Sequence, residues 1–206
     1  MPIIGSLAGG SARGLGGLRT FGGAFVAVES FESIVSYTAS ADIGTLVTIG
    51  SIPTTYKDLI IIQSAGATYG GSGGGSGGKL YFNNDTSVQC QFSYFYGNGN
   101  GTIQGGNGTQ NWFDFSALWA GQGNQYAQGV WTVFDYSSST KHKNVQWQSG
   151  APLLAGTNGT NTSTAFFTGN YASTTPITVL NLLHGSGYGD GNLRAGSRFS
   201  LFGVKG

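Results

Sequence analysis

Short runs of β-favouring residues, separated by clusters of Gly, Asn, Ser and Thr, fill the chain from about residue 24 onward. Runs of this kind between turn-forming clusters are typical of all-β domains. No stretch repeats its apolar residues with the 3.6-residue period of a helix, so we expect few helices. The pattern therefore predicts an all-β fold.

The candidate strands follow one another closely along the chain. They cover residues 34–40, 45–52, 58–67, 79–83, 88–96, 114–118, 129–136, 143–150, 164–171, 177–183 and 198–204. About ten strands in one domain predict a jelly-roll-like sandwich of two sheets, and a closed barrel is the alternative. Long loops rich in small residues are expected at the ends of the sandwich, at residues 70–78, 97–110, 121–128 and 156–163.

The spacing of apolar residues predicts which strand faces are buried. In residues 88–96, Val88, Cys90, Phe92, Tyr94 and Tyr96 share one face, and Gln and Ser fall on the other. Residues 177–183 are apolar on both faces, which predicts a strand buried between layers. Trp131 and Trp147 lie within candidate strands, so we expect both in the core.

The first residues have a different texture, because Gly recurs every few positions among apolar residues and arginines. Such a segment cannot build its own core, and dense Gly lets its backbone approach a partner closely. We expect an extended Gly-rich N-terminal arm over residues 1–30, followed by a head domain over residues 31–206. The arm residues expected to grip a partner are Ile3, Ile4, Leu7, Arg13, Leu15, Leu18, Arg19 and Phe21.

Charge is scarce in this sequence, and its scarcity limits the possible partners. Charged residues make up 8 % of the chain, and the formal net charge is +1. A charge this small releases few counterions, so nucleic acid is not an expected partner. Low net charge also favours association between copies, so we expect the chain to work within an assembly. No window approaches 18 apolar residues, so no membrane insertion is expected.

The sequence offers little material for catalysis or metal binding. Its eight Asp and Glu residues are scattered, whereas a glycosidase needs two carboxylates about 5 to 10 Å apart. His142, His184 and Cys90 show none of the spacings typical of metal ligands. The Gly-rich residues 70–78 precede a strand, whereas a phosphate-binding loop precedes a helix. We therefore predict no catalytic residues, no metal site, no cofactor and no enzymatic activity.

Aromatic residues beside polar loops are the best candidates for a binding site. A flat aromatic face can contact the C–H groups of a sugar while neighbouring amides bind its hydroxyls. The residues in such settings are Trp112, Trp119, Tyr126 and Tyr188. The alternative is that these four side chains pack in the core or in an interface.

Four segments resemble, in this order, a widespread type of tailed-bacteriophage virion protein found in tail fibres and other surface-exposed components. Residues 45–59 read TLVTIGSIPTTYKDL, and residues 80–85 read LYFNND. Residues 134–137 read FDYS, with Lys141 and Lys143 shortly after, and residues 195–204 read AGSRFSLFGV. The resemblance covers about residues 37–206.

The resemblance implies a tail-fibre or tail-associated protein at the tail or particle surface of a virion. On this interpretation the arm binds other tail or baseplate proteins, and the head domain, assembled as a homotrimer, attaches without catalysis to a host-surface polysaccharide. Several weak sites on one rigid particle would raise the effective concentration. A capsid decoration or head-fibre protein with a purely structural role is the first alternative. A short depolymerase is the second alternative.

Overall fold

A computed structural model describes residues 31–44, 46–66, 78–88, 90–97, 103–115, 126–152, 162–184 and 192–206. Twelve strands and no helix lie within these ranges. The strands are β1 (Phe31–Thr38), β2 (Leu46–Ile49), β3 (Asp58–Ala65), β4 (Gly78–Phe82), β5 (Cys90–Gly97), β6 (Ile103–Gln110), β7 (Phe113–Phe115), β8 (Ala127–Phe134), β9 (Lys143–Pro152), β10 (Thr162–Tyr171), β11 (Leu180–His184) and β12 (Arg198–Val204). The expected all-β class is confirmed.

The strands form two antiparallel sheets. The larger sheet has eight strands in the order β1-β12-β3-β8-β9-β10-β5-β6, and the smaller has four in the order β2-β11-β4-β7. The sheets pack against each other, because the ring of Phe82 in β4 lies 5.0 Å from that of Tyr171 in β10. Buried side chains of both sheets belong to one apolar core. The architecture is therefore the expected two-sheet sandwich and not a closed barrel.

The core follows from the alternation of residues along the central strands. In β8 the buried positions are Ala127, Gly129, Trp131 and Val133, with more exposed residues between them. Trp147 in β9 is opposite Trp131, and the two buried rings stack with centroids 4.8 Å apart. Large aromatic side chains contribute most to the burial of apolar area. The prediction that both tryptophans lie in the core is confirmed.

Strand β5 has the face that its alternation predicts. Cys90 and Phe92 are buried, and Tyr94 and Tyr96 are half-buried and pack against the core. The rings of Tyr94 and Tyr96 stack on one another, with centroids 6.1 Å apart. Burial raises the pKa of the Cys90 thiol to about 12, so this cysteine is a small core residue at neutral pH.

The expectation of a loop over residues 97–110 is wrong, because residues 103–110 form strand β6 beside β5. Three glycines, at 105, 106 and 108, hid this strand, since Gly disfavours strands and leaves no alternation to read. A Cβ at Gly106 would lie 2.8 Å from the hydroxyl oxygen of Tyr94. A Cβ at Gly108 would lie 2.8 Å from Cζ of Phe92. The glycines therefore leave space in which aromatic rings of β5 lie over the neighbouring strand.

The segments that carry the family resemblance occupy turn and packing positions. The Tyr136 hydroxyl donates a hydrogen bond to the carbonyl oxygen of Pro53, which ties the turn after β8 to the turn before β3. Asn83 has a positive φ of 56°, and its Oδ1 accepts from the amide of Thr178 at 2.9 Å. These residues fix the connections between strands.

A buried lysine fixes the connection between β8 and β9. Lys143 is fully buried, and its ammonium donates to the carbonyl oxygens of Ser138 at 2.5 Å, Lys141 at 2.8 Å and Thr174 at 3.0 Å. A buried ammonium is tolerated only where its donors are satisfied. Lys143 therefore joins the turn after β8 to the segment that follows β10.

Several expectations lie outside the described residues. The arm of residues 1–30 is one of them, together with the loop of residues 70–77 and most of the loops at 121–128 and 156–163. The arm residues expected to bind a partner, Ile3, Ile4, Leu7, Arg13, Leu15, Leu18, Arg19 and Phe21, all fall there. Their roles remain predictions from the sequence.

Candidate functional site

The four aromatic residues expected at a glycan site are divided between described and undescribed parts of the chain. Trp119 and Tyr188 lie outside the described residues. Trp112 and Tyr126 are described, and both are half-buried. Their surroundings show what each side chain does within the fold.

Trp112 lies directly before β7, at the edge of the smaller sheet. The ammonium nitrogen of Lys79 lies 3.9 Å from the centroid of its ring. An ammonium over an indole face is a favourable cation–π contact. One face of Trp112 is therefore covered by a side chain of the protein itself, which leaves less of the ring for a sugar.

Tyr126 lies directly before β8 and holds the turn that precedes β12. Its hydroxyl donates to the carbonyl oxygen of Ala195 at 2.6 Å. The next residue, Gly196, has a φ of +86°, and a Cβ there would lie 2.9 Å from the Tyr126 hydroxyl oxygen. Both the backbone conformation and the contact require glycine at this position. Tyr126 therefore stabilises this turn within the fold.

A shallow, open groove of about 440 Å³ lies on the outer face of the larger sheet, across β5, β6, β9 and β10. Its side chains are amides and hydroxyls, and none is charged. They are Gln91, Ser93, Asn107, Thr109, Asn144, Thr168 and Asn170, with Phe92, Gly108 and Gly169 completing the lining. We call this surface the polar groove.

Strand register explains why these polar side chains meet. Asn170 of β10 pairs with Asn144 of β9 on one side and with Gln91 of β5 on the other. The Asn170 amide donates to Oδ1 of Asn144 at 3.4 Å, which is a long hydrogen bond. Two residues further along, in the next row of outward-facing side chains, Thr168 of β10 is opposite Ser93 of β5. Directly opposed side chains in an antiparallel pair lie about 4.5–5.5 Å apart, so the rows form one continuous polar surface.

The floor of the polar groove is backbone with aromatic rings beneath it. Gly169 pairs with Phe92, which pairs in turn with Gly108. A Cβ at Gly169 would lie 2.7 Å from Cε1 of Phe113 in the smaller sheet. Glycine lets the two sheets approach closely at this point. The position of the groove is therefore fixed by core packing below it.

An exposed aromatic pair adjoins the polar groove. Phe95 of β5 and Phe166 of β10 are opposite each other and stack, with ring centroids 5.3 Å apart. Phe95 lies two residues after Ser93, and Phe166 lies two residues before Thr168, which is about 7 Å along each strand. Phe95 is 56 % exposed, so its ring remains available to a ligand. We call Phe95 and Phe166 the aromatic pair.

Together the polar groove and the aromatic pair can bind a neutral, hydroxyl-rich ligand. The amides of Gln91, Asn107 and Asn170 each offer both a donor and an acceptor. The aromatic pair offers an apolar surface next to them. No charged side chain lines the groove, so it offers no ion pair to a strongly anionic ligand.

The described carboxylates that lie near each other have structural partners. Asp58 accepts a hydrogen bond at 2.7 Å from the backbone amide of Asp135. The carboxylate of Asp135 pairs with the Lys141 ammonium at 3.2 Å. Within the described ranges, no group of three or more His, Cys, Asp and Glu side chains could hold a metal ion. A search of the same ranges found no helix with the length and hydrophobicity to cross a membrane.

No family model matches this chain, and no curated protein matches it.

The sequence alone does not predict the polar groove, although it places some of the groove residues on the correct strand face. Gln91 and Ser93 stand on the polar face of a strand that the sequence predicts correctly. The other half of the surface depends on β6, whose residues the sequence predicts to be a loop, and on the pairing of β5 with β10. Alternation shows which residues point outward, but not which strands lie side by side.

Proposed function

We propose that this chain is the attachment head of a tailed-phage virion protein and that it binds a host-surface polysaccharide without catalysis. The observation that carries the proposal is the uncharged polar groove beside the exposed Phe95–Phe166 pair. A groove of amides and hydroxyls next to an apolar platform suits a neutral saccharide. In this proposal the main glycan contacts come from strand residues of the larger sheet, and not from the loop aromatics that the sequence suggests.

We also infer that the fold is a jelly roll with two inserted hairpins. Leaving out β5–β6 and β9–β10, the other eight strands, counted in chain order, are arranged 1-8-3-6 in one sheet and 2-7-4-5 in the other. That order is the double Greek key of a jelly roll. The inserted hairpins extend the larger sheet and carry the polar groove. Jelly rolls are common in viral structural proteins, which supports the proposal at the level of fold alone.

In this proposal the arm of residues 1–30 keeps the role expected from the sequence. It attaches the protein to tail or baseplate components, while the head domain faces the host. Each head domain binds weakly, and many heads on one particle bind together, so avidity supplies the strength of attachment.

The binding test uses the full chain with polysaccharides extracted from host cell surfaces and with a panel of neutral and anionic glycans. We expect Phe95→Ala and Asn170→Ala each to weaken binding at least tenfold. The first removes an apolar surface of the aromatic pair, and the second removes an amide of the polar groove. Phe31→Ala is the matched control, since Phe31 is also an exposed phenylalanine of the same sheet but lies on the far edge strand. Binding that survives both groove substitutions would reject this site.

A second function is favoured by one observation. Ile62 of β3 and Val130 of β8 are opposite each other on the outer face and are 42 % and 41 % exposed. Exposed apolar neighbours suit a protein partner better than a sugar. A decoration or head-fibre protein would use such a surface against other virion proteins.

Labelling virions with an antibody to residues 31–206 separates the two functions. Label on the tail or baseplate supports host attachment. Label that covers the capsid in many copies supports the decoration role.

A further inference from the structure

The described strands include four sheet edges: β1 and β6 in the larger sheet, and β2 and β7 in the smaller. An edge strand presents backbone donors and acceptors that can pair with another chain. Proteins that stay separate protect these edges with short strands, bulges, charged side chains or proline. The four edges can be compared in these terms.

Three of the edges carry such protection. Within the described residues, strands β2 and β7 have only four and three residues. Strand β1 has an irregular register between Ser33 and Val35, and it carries Glu32, which pairs with the Lys205 ammonium. Short length, a bulge and a charge are each known devices against pairing of edges.

Strand β6 carries none of these devices. It has eight residues, all paired in regular register with β5, and neither strand contains a charged residue or a proline. Its outer edge pairs with no described strand. Within the described residues, β6 is therefore the one long edge that lacks protection.

The two most exposed large apolar side chains of the described residues also lie at this edge. Ile103 in β6 is 80 % exposed, and Phe95 in the neighbouring β5 is 56 % exposed. Both point to the outer face, because Phe95 pairs with Gly105, two residues after Ile103. An exposed apolar side chain on an unprotected edge is a feature of an interface.

We propose that β6 pairs antiparallel with β6 of a second copy of this chain, about a two-fold axis perpendicular to the sheet. This dimer takes the place of the homotrimer that the family resemblance implies. A two-fold contact brings each surface against itself, so like charges would repel. The absence of charge from β5 and β6 allows this self-pairing, and the formal net charge of +1 does little to oppose it. The second copy continues the larger sheet and supplies partners for the outer edge of β6.

This pairing has a consequence that rests on the proposed glycan function, although the pairing itself does not. A two-fold axis perpendicular to the sheet keeps the outer faces of both copies on the same side. Each polar groove includes Asn107 and Thr109 of β6, so the two grooves lie next to each other across the axis. One dimer would therefore bind two segments of a polysaccharide at high effective concentration.

The first test is the mass of the full chain, measured by light scattering and sedimentation over a wide concentration range. We expect a dimer for the natural chain and a monomer for Ile103→Lys and Gly105→Lys. Ile103→Lys replaces an exposed apolar side chain of the pairing edge with a charge, and Gly105→Lys lies close to the midpoint of β6, where it places like charges near the axis. A Cβ at Gly105 has its nearest neighbour, the Tyr94 carbonyl oxygen, at 3.3 Å, so the substitution fits with a small adjustment. Thr38→Lys adds the same charge to the exposed end of β1 and should remain a dimer.

The second test uses hydrogen exchange and requires no variant. Alternate backbone amides of β6 should exchange slowly at high concentration and faster on dilution, as the outer edge loses its partner. A natural chain that stays monomeric, a trimer, or a dimer with concentration-independent exchange in β6 would each overturn the pairing. Glycan binding by a monomer would overturn the pairing and leave the proposed function intact. A dimer that binds no glycan would do the reverse.

Discussion

Gly169 lies beneath the polar groove, and its replacement by alanine tests whether core packing fixes that surface. A Cβ there would lie 2.6 Å from the Gln91 carbonyl oxygen, 2.7 Å from Cε1 of Phe113 and 3.0 Å from Cβ of Phe92. Carbon atoms in favourable contact are about 3.5–4.0 Å apart, so all three neighbours must move. The backbone of Gln91 belongs to a strand in regular register with β10, and it cannot move alone.

Overpacking of a core typically costs about 1–3 kcal/mol, and the backbone contact places Gly169→Ala in the upper part of that range. We expect a loss of about 2–3 kcal/mol in the free energy of unfolding. For a domain of this size, each kcal/mol lowers Tm by about 2–4 °C, so Tm should fall by roughly 4–12 °C.

Urea denaturation followed by tryptophan fluorescence measures this loss, because Trp131 and Trp147 are both buried in the core. Gly50→Ala is the matched control, since a Cβ there meets no described atom within 4 Å. The control should stay within about 0.5 kcal/mol of the natural chain or gain slightly. A Gly169→Ala protein as stable as the control would refute the packing argument.

Lys143, Glu32 and Cys90 are buried or paired groups whose contributions can be measured in solution. Lys143→Met leaves three carbonyl oxygens without their donor and should lower the free energy of unfolding by at least about 2 kcal/mol; a urea midpoint equal to that of the natural chain would contradict this. Hydrogen bonds from Lys205, and to a smaller extent from Tyr56, lower the pKa of Glu32 below 4.5 in the folded protein. The ionised Glu32 therefore stabilises the fold fully above pH 4.5, and this stabilisation is lost as the pH falls through the pKa of Glu32 in the folded protein. The Tm advantage of the natural chain over Glu32→Gln should therefore shrink in acid, and an advantage independent of pH would argue against the pairing. Cys90, with its pKa raised to about 12 by burial, should resist a thiol reagent in the folded protein and react in urea, and rapid labelling of the folded protein would show the site to be open.

Much of the fold could be predicted because the central strands alternate strongly. The predicted bounds of β12 are the observed ones, and β3 and β9 differ by two residues at one end. These strands bury one face against the core, so their sequences carry the period of two. Strand β6 could not be predicted in this way, because its glycines are accommodated by the rings of Phe92 and Tyr94 on a different strand.

The candidate site was less predictable than the fold, and the reason is tertiary. Tyr126 looks like a loop aromatic in the sequence, but its hydroxyl binds Ala195, 69 residues away. One face of Trp112 is covered by Lys79 of β4, and strands β5 and β6 lie between these two residues in the sequence. The polar groove needs the register of four strands at once, and a single sequence does not give that register.

The contact between the β5–β6 hairpin and the β9–β10 hairpin also sets an order of events during synthesis. Phe95 and Phe166 are in contact but lie about 70 residues apart, and such distant contacts form slowly. The ribosome releases β5 and β6 well before β9 and β10, so β5 has no pairing partner on its β10 side until β10 has been synthesised. The groove is complete only when β10 arrives between β9 and β5. A nascent or truncated chain that ends before β10 therefore lacks the polar groove, and any binding there requires the completed sheet.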